Sequence, residues 1–144
     1  MISGGLSLIR DRFLVVSVWE MLLGGMLKGR NEPRYAIWDI ETGKRIILSD
    51  CIDMNKWDAF VLKANERGLI QYTEPDEKPW EGMEDDFRWV GPDQDFFIEE
   101  FGITFNFGQH CCFFKDGEIL EIFMTWKELE PFIKRDSPLR VMYQ

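Results

Sequence analysis

A chain of 144 residues with a net charge of −9 has the size of one domain and can bury a core without a disulfide framework. Hydrophobic residues at 45%, with 12 Phe and 6 Trp, exclude a disordered chain. The acidity excludes a nucleic-acid binder, because phosphate backbones are held by basic surfaces that release counterions.

Taken in chain order, residues from Ile2 to Met26 contain Arg10-Asp11-Arg12 followed by the apolar run Phe13 to Trp19. The beginning looks like a signal peptide or anchor, but Glu20 interrupts the run, it is short for a spanning helix, and no small-residue cleavage site follows. The expectation is one long strand, buried on both faces at its middle and ending at Gly24-Gly25, with no membrane insertion. Arg34 to Ile40 reads as a strand, Glu41-Thr42-Gly43-Lys44 as a turn with glycine at its permissive position, and Arg45 to Leu48 as the returning strand. Met54, Trp57, Phe60, Val61 and Ala64 recur at helical spacing and predict a helix from Met54 to Glu66, stopped by Gly68.

From about residue 72 to 95 no period is sustained and prolines and glycines recur, which predicts a long loop with a short strand at 87–90. Strand character resumes at Phe96 to Glu100 and again at Ile103 to Phe107. Cys111-Phe114 and Ile119-Met124 flank Lys115-Asp116-Gly117-Glu118, an Asp-Gly hairpin signal. Thr125 with Glu128 three residues on has capping-box spacing, with Trp126, Leu129 and Phe132/Ile133 as the buried stripe of a short helix. The tail 134–144 reads as peripheral. The fold class is therefore α+β: a single domain over 1–144, a largely antiparallel sheet packed by one main helix and a short C-terminal helix.

The charge is concentrated. Between Gln71 and Glu100 stand eleven acidic residues against Lys78 and Arg88, and the remaining fifteen acids match fifteen bases. Aromatic Trp80, Phe87 and Trp89 are interleaved with Glu84, Asp85 and Asp86 in this stretch, and these six are the candidate binding residues. Aromatic anchors ringed by charge have the composition of an interface, the rings supplying affinity and the charge steering, so the expected partner is a basic protein. A solvated, self-repelling surface has the same composition.

Other chemistry is thinly represented. His110-Cys111-Cys112 is the only cluster of ligand type, and neighbours on a strand point to opposite faces, so at most His110 and Cys112 could share a metal, with acidic-loop residues or Cys51 as further donors, and a nucleophilic pair would need a cysteine held to His110 across the fold. Three cysteines cannot all pair with one another, and if the chain is complete the expectation is a cytoplasmic protein with reduced thiols. Carboxylates lie near one another in Asp39 with Glu41 and Asp50 with Asp53, without the separation or split pKa values that acid–base catalysis requires being visible. No catalytic residue, metal site or cofactor is expected, and the oligomeric state is left open.

The order of pieces resembles a known family. The strand into Gly24-Gly25, the strand with Asp39, Thr42-Gly43-Lys44, Leu48 with Asp50 before a helix, the run Phe101 to Phe107, and Thr125-Trp126-Lys127-Glu128-Leu129-Glu130-Pro131-Phe132 together resemble the C-terminal domain of RsiV-type anti-sigma factors. That domain also occurs in PdaC-type peptidoglycan deacetylases. The resemblance covers nearly the whole chain and implies an α+β domain without known catalytic residues, often extracytoplasmic, whose best understood member binds lysozyme as a sensor. The chain departs from the family pattern where Met26-Leu27 replace the usual Ala-His after the double glycine. Together these readings give a non-enzymatic domain that captures a basic partner as a sensor, inhibitor or immunity-type protein, extracytoplasmic if an export segment precedes it. The rival readings are a cell-wall glycan-binding accessory domain using Trp80, Trp89 or Trp126 as stacking groups, and a Cys/His enzyme or metal protein centred on His110.

Overall fold

The computed structural model describes residues 2–20, 33–72, 95–108 and 120–144. Its architecture is α+β, with two antiparallel sheets, one main helix and a short C-terminal helix. The first sheet has the order β1-β2-β3-β4, built from β1 (Ile2–Ile9), β2 (Phe13–Glu20), β3 (Pro33–Asp39) and β4 (Lys44–Ile46). Gly43, at φ +70°, makes the expected β3–β4 turn and donates its N–H to the Asp39 carbonyl at 2.7 Å. The returning strand is shorter than its sequence suggests, because Leu48 leaves the sheet to bury itself at the start of α1 (Leu48–Cys51).

The expected single strand through the N-terminal run is instead a hairpin. Arg10 and Asp11 both adopt positive φ (50° and 52°), and Arg12 N–H closes the turn on the Ile9 carbonyl at 3.1 Å. Two consecutive non-glycine residues in this region are costly. The Arg10 side chain offsets the cost by donating to Glu100 Oε1 at 3.3 Å and to the carbonyls of Val141 and Gln144 at 3.0 and 3.4 Å. Nor is β2 buried on both faces: Phe13 and Val15 enter the core, whereas Val18 is exposed on the opposite face, which it shares with exposed Leu6 and Leu8 of β1.

The second sheet has the order β5-β6-β7, from β5 (Asp95–Ile98), β6 (Gly102–Gly108) and β7 (Leu120–Thr125). β7 takes β6 as its partner, Ile103 opposite Met124; the 111–114 strand, the Asp-Gly turn and the short strand at 87–90 expected from the sequence lie outside the described residues, as does Gly24-Gly25. Alternation along these strands sends Phe96, Ile98, Ile103, Phe105, Ile122 and Met124 into the core. Against them lies α2 (Trp57–Tyr72), with Phe60 fully buried and its ring 5.6 Å from that of Phe105. The helix does not stop at Gly68. A glycine costs a helix about 1 kcal/mol against alanine, and here it is buried in a helix that packs on β7, so tertiary contact overrides the local preference. No helix among the described residues is long and apolar enough to cross a membrane.

The capping box at Thr125 forms as its spacing predicts and opens α3 (Trp126–Leu129): Thr125 Oγ1 accepts from Glu128 N–H at 3.2 Å, and Thr125 N–H donates to Glu128 Oε2 at 2.9 Å. Thr125→Ala should lower stability by about 1 kcal/mol, read as a shift in the denaturation midpoint at unchanged slope; an unshifted midpoint would refute the cap's contribution. The tail, in contrast, is not peripheral. Ser137 caps a 3₁₀ turn (Pro138–Tyr143) that buries Leu139 and Met142. Lys134 N–H donates to the Cys51 carbonyl at 2.8 Å, Lys134 Nζ to the Ser49 carbonyl at 2.8 Å, and Arg140 to the carbonyls of Ile133 and Lys134. A short tail becomes core here because it is stitched to the α1 segment by backbone acceptors that would otherwise go unpaired.

Candidate functional site

Where β4 ends, no strand among the described residues pairs with the free edge of β3, and a side chain of β5 fills the place. The Asp95 carboxylate accepts the Tyr35 N–H at 3.2 and 3.4 Å, so the first residue of β5 completes the hydrogen bonding of β3 and joins the two sheets. Alternation then puts Asp95, Phe97 and Glu99 on one face of β5, opposite Asn106 and Thr104 of β6, with Glu121 beyond on β7. Thr104 and Asn106 are buried polar residues of this face, and Thr104 Oγ1 donates to Glu99 Oε2 at 3.2 Å. The rings of Tyr35 and Phe97 lie 4.5 Å apart across the junction.

Between the inner face of the first sheet and β5 this arrangement leaves a groove of about 320 Å³. Ile9, Val15 and Ile98 form apolar walls, Tyr35 and Phe97 an aromatic one, and Glu99 and Glu100 line it with carboxylates. The electrostatics are strained towards negative. Burial holds Asp95 above the usual carboxylate range against the pull of the Tyr35 N–H, Arg34 and Arg45. Burial and then the Glu99 charge raise Glu121. Burial, followed by the charges of Glu121, Asp95 and Glu99, pushes the Tyr35 phenol up to about 12, so it stays a neutral donor at any physiological pH.

These shifts set the sign of a pH dependence. Asp95 and Glu121 bind protons more readily folded than unfolded, so stability rises as pH falls through their folded pKa values. Asp39 and Glu128 have depressed values, and their contribution is lost at lower pH still. Stability should therefore increase on mild acidification from neutrality and decline only below the ordinary carboxylate range, and Glu121→Gln should flatten the rise. Denaturation midpoints across pH 7 to 3 test this; a monotonic fall would contradict it.

A second cleft, of about 480 Å³, lies among Arg12, Asp39, Lys44, Arg45, Lys134 and Asp136. Its charges are largely matched internally. Arg12 holds Asp39 with two bonds, of 3.2 and 3.0 Å, and reaches Glu41 at 3.2 Å. Arg45 lies over the Trp38 ring, 6.0 Å from its centre. Asp39 and Glu41 thus share a guanidinium rather than forming an acid–base pair, and Asp53 accepts the Asn55 N–H as a turn cap.

The candidate binding residues Trp80, Glu84, Asp85, Asp86, Phe87 and Trp89 lie outside the described residues, as do His110, Cys111 and Cys112. Cys51 is a free, fully buried thiol, pushed up to about 12 chiefly by burial, which suits a small core residue and not a nucleophile. Among the described residues no group of three His, Cys, Asp or Glu side chains is placed to hold a metal ion. The acidic stretch does reach the described residues through Asp95, Glu99 and Glu100. The signal that could have found the groove was the alternation Asp95, Phe97, Glu99; its partner Tyr35, sixty residues earlier, had none.

No family model matches the chain, and no match is found among curated proteins. Solved structures do match in fold. A DUF3298-family protein from Bacteroides fragilis superposes with a TM-score of 0.79 at 15% identity, over 98% of this chain and 56% of the other. A DUF3298-family protein from Pseudomonas aeruginosa PAO1 gives 0.67 at 14% identity, over 93% and 61%. The chain thus has the fold of these DUF3298 proteins, a domain family of unknown function, and spans less than two thirds of the length of either.

Proposed function

We propose that this chain is a non-catalytic binding domain that captures a basic partner protein through its acidic, aromatic-bearing stretch, with Trp80, Glu84, Asp85, Asp86, Phe87 and Trp89 as contact residues. The observation that carries the reading is charge placement. The eleven acids and two bases between Gln71 and Glu100 account for the whole net charge, and the end of that stretch carries Asp95, raised by burial, beside the paired Tyr35 and Phe97 rings, with Glu99 raising Glu121 across the sheet. A cationic partner relieves that repulsion; an anionic one adds to it. The resemblance to RsiV-type C-terminal domains, one of which senses the basic protein lysozyme, agrees in the sign of the partner's charge.

Neutralising Glu84, Asp85 and Asp86 together should slow association with a basic protein and reduce its salt dependence while leaving the fold intact. Truncating Trp89 should speed dissociation, by about 1–3 kcal/mol for an anchor of ordinary strength. Association kinetics against immobilised lysozyme and a second basic protein, at low and high salt, read both effects. Unchanged binding by the triple variant at both salts would overturn the reading, as would binding to acidic proteins with equal strength.

A further inference from the structure

The geometry points to a more specific assignment, resting on the reading above: the groove between the two sheets is a recognition slot for a single arginine or lysine side chain of the partner. Its walls divide as such a side chain does. Ile9, Val15 and Ile98 offer an apolar channel of the kind that covers a methylene stem. The Tyr35 and Phe97 rings, 4.5 Å apart and tilted by 34°, supply aromatic faces for the cationic head. Glu99 supplies the countercharge, and it is already oriented by the Thr104 hydroxyl at 3.2 Å.

The rim gives an internal precedent for the head group. Glu100, which also lines the groove, accepts a guanidinium N–H from the chain's own Arg10 at 3.3 Å. A carboxylate-bearing side chain would meet the like charges of Glu99 and Glu100. A small apolar side chain would fill the channel and leave Glu99 without a countercharge. The groove, at about 320 Å³, is on the scale of one long side chain rather than a folded segment. The aromatic and apolar walls are independent of the acidic ones, and only a long cationic side chain satisfies both.

The test uses the full chain and amide-capped tetra-arginine and tetra-glutamate peptides, followed by NMR with the tyrosine and phenylalanine rings labelled. Tetra-arginine should shift the Tyr35 and Phe97 signals, and tetra-glutamate should not. Glu99→Gln keeps an acceptor for Thr104 but removes the charge, and should weaken tetra-arginine binding about tenfold, the scale of one charge-assisted hydrogen bond. Ser7→Trp, at an exposed position on the groove wall, should fill the slot and abolish the Tyr35 and Phe97 shifts, with circular dichroism confirming the fold of each variant. Tetra-arginine binding that moves the Phe87 signal but not those of Tyr35 and Phe97 would overturn the slot and leave the basic-partner reading standing. Absence of any tetra-arginine response at low salt would overturn both, and wild-type affinity in Glu99→Gln would overturn the slot.

Discussion

Gly102→Ala is expected to destabilise the fold by about 3 kcal/mol, at the upper end of what overpacking costs. A Cβ built on Gly102 would stand 2.1 Å from the Met124 carbonyl oxygen and 2.9 Å from its carbon, both backbone atoms of the strand that β6 pairs with. Neither can swing aside as a side-chain tip would, so the strands must part. Parting them there pulls on the turn that precedes β6, where Trp126 N–H donates to the Phe101 carbonyl at 3.2 Å and Trp126 Nε1 to the Glu100 carbonyl at 2.9 Å. Glu99 N–H also donates to the Gly102 carbonyl at 2.8 Å, so the damage reaches the carboxylates of the groove. Gly4→Ala is the control: its added carbon would lie 2.9 Å from the Ser17 carbonyl oxygen, on an edge strand free to move. Denaturant unfolding of both variants measures the contrast. A Gly102→Ala midpoint within error of the wild type would show that β6 and β7 can separate without loss.

The elements that were legible in the sequence are those specified by neighbours in the chain. Gly43 in its turn, Thr125 with Glu128 in the cap, and the alternation of β5 and β6 each depend on residues within a few positions. What was missed is specified from far away. Nothing local marks Arg10 and Asp11 as left-handed, because the groups that hold Arg10 are Glu100, Val141 and Gln144. Gly68 reads as a stop only until β7 is placed against the helix. The tail reads as loose only until the acceptors near Cys51 are known. The site divides in the same way: the acidic excess is a property of composition and is visible, whereas the junction of Tyr35 with Asp95 and Phe97 exists only once both sheets have formed.

The same distinction governs the second large effect, Asp39→Ala, expected to cost about 2 kcal/mol because it removes the buried acceptor of a part-buried ion pair. Asp39 is 1% exposed, an environment a carboxylate tolerates only when its lone pairs are taken. Here they are: two bonds come from Arg12 and a third from the Glu41 N–H at 3.1 Å. The Arg12 bond, then the Glu41 N–H, the Arg12 charge and the Thr42 hydroxyl, outweigh burial and hold the carboxylate below its usual range, while Asp39 raises Arg12 in return. The pair also positions backbone. Ile40 N–H donates to the Arg12 carbonyl at 2.9 Å, so the β1–β2 and β3–β4 turns are tied together at the point where the ion pair spans them. Alanine removes all three acceptor bonds at once, leaves the Arg12 guanidinium, among the described residues, with exposed Glu41 as its charged partner, and opens a void beside fully buried Phe13. Asp39→Asn separates the contributions: it keeps the volume and one acceptor while losing the charge, so it should cost less than alanine. It should also remove the part of the acid-induced loss of stability that comes from protonating Asp39. Denaturation of the two variants across pH 7 to 3 reads both; equal stability for Asp39→Ala and the wild type at pH 7 would mean the pair orients the turns without holding them.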